Sequence, residues 1–112
     1  MATYRMYSDE NDVARLETLD VVNHPVFKSP VPTKSIEFRV YPKGSVLDWH
    51  PAPRRQWVII IAGQLEIGFE DGSKHVFGPG DARLVEDITG KGHTTSSVGD
   101  VDCLAAQIPL AD

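Results

Sequence analysis

The sequence predicts an all-β protein, folded as a small antiparallel β-barrel or a double-sheet jelly roll. Three observations carry this expectation. Eight prolines and nine glycines cut the 112 residues into short segments. The segments between them are rich in Val, Ile, Phe and Tyr, which suit a pleated, half-buried surface. No segment sustains the apolar period of an α-helix.

The elements follow in chain order. Residues 3–19 open with the alternating run Thr3–Tyr7 and continue into a polar turn. Residues 20–34 contain three prolines and read as an extended connection. From Ser35 to Tyr41, Ile36, Phe38 and Val40 face one way, and Glu37, Arg39 and Tyr41 the other. Trp57–Ile61 runs into Ala62-Gly63, and Gln64–Glu70 then alternates, which predicts a hairpin. Leu65, Ile67 and Phe69 form its buried face. Asp71-Gly72 is a tight-turn signal, because glycine accepts positive φ, and Lys74–Phe77 is the returning strand. Phe77–Asp81 turns into Ala82–Glu86. Residues 92–98 and 101–109 are the last two strands, joined at Gly99-Asp100. The expected organisation is one domain over residues 1–112. Residues 1–34 form N-terminal strands and the proline-rich connection, and residues 35–109 the barrel core.

Composition excludes several function classes. The net charge of −5 argues against nucleic acid, whose phosphates need a basic face. No stretch approaches the apolar length of a membrane span, and the first residues lack the apolar run of a signal peptide. The single cysteine, Cys103, precludes an internal disulfide and fits a cytoplasmic location. Its apolar neighbours predict a buried, inert thiol.

Four histidines are present. His24 lies in the proline-rich connection and His75 in a hairpin strand, and both read as structural or solvated. His50 and His93 each lie on a predicted strand entered through a glycine turn. Around His50 the order is Gly44, five residues, His50-Pro51-Ala52, three residues, Gln56, six residues, Gly63. Around His93 it is Gly80-Asp81, a longer interval containing Glu86-Asp87, then Ile88-Thr89-Gly90, two residues and His93.

Over residues 35–109 these two stretches resemble the motifs of the cupin superfamily. The resemblance implies a double-stranded β-helix, a conical barrel holding iron, manganese, zinc or nickel on three histidines and a glutamate. Carried over residue by residue, it makes His50 and His93 metal ligands or catalytic groups. Gln56 falls where the glutamate would be, and Ala52, which has no donor atom, where a third histidine would be. A neutral amide lacks the charge with which a carboxylate binds a divalent ion. Asp48 lies two residues before His50, so a regular strand places both on one face and offers a replacement carboxylate. Arg39, Asp48, Trp57 and Thr95 are candidate substrate contacts, and Ser97 shares the face of Thr95. Trp49 also flanks the motif. Arg54 and Arg55 occupy the turn before Gln56, where a guanidinium can clamp a carboxylate.

Two readings of function follow. The first is a metal-dependent enzyme with a reduced ligand set of His50, Gln56 and His93, acting on a small polar molecule. The second is a metal-free module that binds or senses a small ligand without turnover. A structural module with an idle cavity is a third. The resemblance also implies a homodimer.

Overall fold

The computed structural model describes residues 2–112. Its ten strands are β1 Thr3–Ser8, β2 Ala14–Thr18, β3 Glu37–Tyr41, β4 Val46–His50, β5 Gln56–Ala62, β6 Gln64–Gly68, β7 Lys74–Phe77, β8 Ala82–Glu86, β9 His93–Val98 and β10 Cys103–Pro109. A short 3-10 turn at Pro25–Phe27 interrupts the proline-rich connection, and the His24 ring caps it through Val26 N–H. No helix among the described residues is long and apolar enough to cross a membrane.

The strands form two sheets. Six strands lie in the order β2-β1-β8-β5-β10-β3, and four in the order β4-β9-β6-β7. β1 and β8 run parallel, and the other pairs are antiparallel. Closure into a barrel needs strand pairing from one sheet to the other, and the sheets have none. The predicted barrel is therefore corrected to a two-sheet sandwich with free edges at β2, β3, β4 and β7.

Gly63 decides much of this arrangement. β5 pairs with β8 and β10, whereas β6 pairs with β7 and β9. The expected hairpin across Ala62-Gly63 is thus a corner where the chain changes sheets. Gly63 has φ +76°, and a Cβ there would collide with the backbone of Asp102 and Cys103. The hairpin at Asp71-Gly72 forms as expected, with Asp71 Oδ1 accepting from Ser73 N–H at 2.8 Å.

One continuous core joins the inner faces. Met6, Val58, Ile60 and Val85 of the larger sheet meet Leu65, Ile67 and Phe77 of the smaller. Each apolar side chain removed from water here contributes roughly 1.5–3 kcal/mol. β3 alternates as predicted, but its apolar residues face outward. Ile36, Phe38 and Val40 are exposed, and Tyr41 is buried. β9 turns its polar residues inward, with His93, Thr95 and Ser97 on one buried face. The interior is therefore apolar around β6 and β7 and polar along β9.

The corner generates a prediction. Gly63→Ala combines a strained backbone with a backbone collision and should lower stability by about 1–3 kcal/mol, read as a lower melting temperature. An unchanged melting temperature would contradict the corner.

Candidate active site

The polar part of the interior opens into a cavity of about 450 Å3. Strand parity determines what reaches it. On β5, Gln56 and Val58 line the cavity, and Trp57 between them points to the other face, against Phe27. Trp57 is therefore not a cavity residue. On β8, Arg83 and Val85 face inward. β9 contributes His93 and Thr95, and β3 contributes Arg39 and Tyr41.

His50 and His93 are cross-strand partners between β4 and β9, with ring centroids 4.7 Å apart. The Gly92 backbone packs directly on the carbonyl of His50 and the nitrogen of Pro51, and a Cβ there would collide with both. That close approach sets the two imidazoles side by side. His50 Nδ1 lies 2.6 Å from the main-chain oxygen of Asp48. A carbonyl only accepts, so Nδ1 carries the proton and Nε2 is left bare in the neutral ring.

His93 is held differently. Its Nδ1 lies 2.5 Å from Oδ2 of Asp87, and both side chains are buried. The carboxylate orients the ring and accepts Nδ1–H, which leaves Nε2 as the basic nitrogen. Nε2 makes no hydrogen bond to the described residues. The fully enclosed unpaired atoms are Arg83 Nε and Nη1, Asp87 Oδ1 and Ser97 Oγ, so His93 Nε2 opens to the cavity. Asp87 also receives the Ala52 N–H on its main-chain oxygen at 2.9 Å, tying the loop after β4 to the end of β8.

The sequence-predicted residues divide as follows. Arg39, Asp48, His50, Gln56, His93 and Thr95 all line the cavity. Asp48 is exposed at its mouth and accepts from Trp49 N–H, and an irregularity between Leu47 and His50 breaks the regular alternation of β4. Trp49 carries Lys91 over its ring, 4.2 Å from the centroid, and does not line the cavity. Arg54 bonds Gln56 Oε1 and Glu37, and Arg55 pairs with Glu86 and Asp112. Ser97 shares the burial of Thr95 but lies outside the cavity lining.

The donor set can be compared with the divalent ion that the resemblance implies. Among the described residues, no group of three or more His, Cys, Asp or Glu side chains could hold a metal ion. The Gln56 amide oxygen already accepts from Arg54 Nε at 3.2 Å. Ala52 is buried in the core cluster at the position where a third ligand would be. Arg39 and Arg83 place positive charge in the same cavity, which repels a cation. The residues present do not fit a three-ligand metal centre.

Two residues that the sequence reading left aside, Asp87 and Arg83, govern the site. In the sequence Asp87 lies in the long interval before His93, and Arg83 lies within the strand Ala82–Glu86. Both are charged side chains with almost no exposure, at 0% and 4%. Burial pushes the Arg83 guanidinium below its ordinary value, while Tyr41, Asp87 and Cys103 oppose the change. Burial also raises the Cys103 thiol, in keeping with an inert cysteine.

No protein-family model and no curated protein matches the chain. Among solved structures, protein NMB1881 from Neisseria meningitidis is similar at 18% identity and TM-score 0.48, over 85% of this chain and 100% of that one. The capsular polysaccharide assembling protein CapF from Staphylococcus aureus is similar at 14% identity and TM-score 0.41, over 94% of this chain. This chain spans 29% of the CapF chain.

Asp87→Ala removes the partner of a buried ring nitrogen and should destabilise the protein by about 1–3 kcal/mol in chemical denaturation. Cys103 should react with a thiol reagent only as fast as the protein unfolds. Rapid labelling of the native protein would contradict its enclosure.

Proposed function

We propose that the cavity binds a small polar molecule and that His93 moves a proton on it without a metal ion. The buried Asp87–His93 pair at the cavity wall carries this reading. A carboxylate on Nδ1 fixes the ring and stabilises the imidazolium formed when Nε2 accepts a proton. His50 stands beside it with Nδ1 anchored to Asp48, so a second bare Nε2 is available in the neutral ring to accept or relay a proton. Gln56, Thr95 and Tyr41 supply hydrogen bonds that orient the ligand, and Leu47, Val58 and Val85 supply apolar surface. Proton abstraction next to a carbonyl, leading to isomerisation or exchange, is the reaction class such a site serves. The glycine frame and the paired histidines support a cupin-like interior whose metal ligands have been replaced.

The alternative of binding without turnover differs only in the fate of the proton, and one experiment separates the two. Chelator-treated protein is incubated in D2O with a panel of small carbonyl compounds, and loss of C–H signals is followed by proton NMR. Exchange is expected with the wild-type protein, falling at least about 100-fold in His93→Gln. Tight binding of a panel member without exchange would establish the binding module instead. Exchange that appears only after iron, manganese, zinc or nickel is added would overturn the metal-free reading.

A further inference from the structure

The cavity contains a cation that the proton-transfer site does not use. Arg83 sits on β8, two strands in from the β2 edge of the larger sheet, and lines the cavity while only 4% exposed. It forms no ion pair with any described residue, and its Nε and Nη1 are sealed from solvent without a hydrogen-bond partner. The Phe77 ring lies 4.9 Å from the guanidinium carbon, and Tyr41, Asp87 and Cys103 favour the charge only through space. The one buried carboxylate near it, Asp87, is already engaged by His93. An arginine does not escape this situation by deprotonating, so the chain holds a buried charge with no hydrogen-bonded counter-ion among the described residues.

We infer that Arg83 anchors a small monocarboxylate in the cavity. Nη2 is the guanidinium nitrogen not sealed from the cavity. A carboxylate oxygen on Nη2 accepts a charge-assisted hydrogen bond from the cavity side and brings a full negative charge to the buried guanidinium. Tyr41 is placed to complete the anchor. Its hydroxyl accepts from Gln107 Nε2 at 3.1 Å, so its own proton is free to donate to the ligand. Charge balance sets the class. Of the charged lining residues, Arg39 and Asp48 are exposed and of opposite sign, which leaves the one buried guanidinium to neutralise one negative charge, and the apolar wall of Val58 and Val85 favours a small organic acid over a phosphate dianion. The inference rests on the cavity being the binding site proposed above, and it names the substrate class for that site.

The test reads binding and not turnover. Acetate, pyruvate and butyrate, their neutral amides, and inorganic phosphate are titrated into the wild-type protein by calorimetry and thermal shift. At least one carboxylate should bind at least about tenfold more tightly than its amide and than phosphate, because a charged hydrogen-bonded pair is replaced by a neutral one. Arg83→Met should abolish that preference and leave the ligand-free protein at least as thermostable, since an unpaired buried charge is removed. Should Arg83→Met fail to fold, Arg83→Gln keeps a polar side chain without the charge and should likewise lose the preference. His93→Gln should keep the carboxylate preference. Equal binding of acid and amide, tighter binding of phosphate, or a preference unchanged in the folded Arg83 variant would overturn the inference. An Arg83-dependent preference without C–H exchange sinks only the proton-transfer reading. Exchange that is indifferent to Arg83 sinks only the carboxylate anchor.

Discussion

The arrangement depends on one residue acting in two directions. Asp87 ends the run of β8 with its side chain wholly enclosed. Its carboxylate holds Nδ1 of His93, and its main-chain oxygen holds the N–H of Ala52. The first contact orients the imidazole on the smaller sheet. The second draws the loop after β4 over the cavity and packs Ala52 into the core. A charge enclosed this way gains little net stability, because desolvation offsets much of the attraction. What it supplies is position, and position is what an imidazole needs to act on a bound molecule.

The same economy explains the rest of the interior. A sandwich of this size stabilises itself by apolar contact between its sheets, here through Met6, Ile60, Leu65, Ile67 and Phe77. Along β9 that logic gives way to His93, Thr95 and Ser97, and on β8 to Arg83. Each of these buries a polar group that costs free energy unless it finds a partner. Arg83, Asp87 Oδ1 and Ser97 Oγ still lack one. Stability lost at a cluster of convergent polar groups beside a cavity is the usual mark of a binding site.

Much of this was legible in the residues. The alternation of Leu65 and Ile67 and the Asp71-Gly72 turn specify β6 and β7, because period two and positive φ are local properties. The glycine frame and the spacing of His50 and His93 bring the two histidines into one site. The partner sheet of a strand is not local. Trp57–Ile61 and Gln64–Glu70 read as a hairpin, yet Gly63 sends them into different sheets, and the alternation is the same either way. At β3 the alternation is legible but its direction is not, and Phe38 and Val40 face outward while Arg39 and Tyr41 line the cavity. The burial of Arg83 and Asp87 is not legible in the sequence, because charged residues are rarely enclosed and their surroundings come from distant strands. Trp57 was misplaced by a rule the sequence does contain. As the neighbour of Gln56 on one strand, it cannot share that residue's face.

Asp87 holds His93 with its proton on Nδ1 and its Nε2 open to the cavity. Long-range proton–nitrogen NMR of the histidine side chains tests it most directly. The expected result is a slowly exchanging Nδ1 proton on His93 that disappears in Asp87→Ala, beside an unprotonated Nε2. A protected proton on Nε2 with a bare Nδ1, or an Nδ1 signal unaffected by loss of the Asp87 carboxylate, would contradict it.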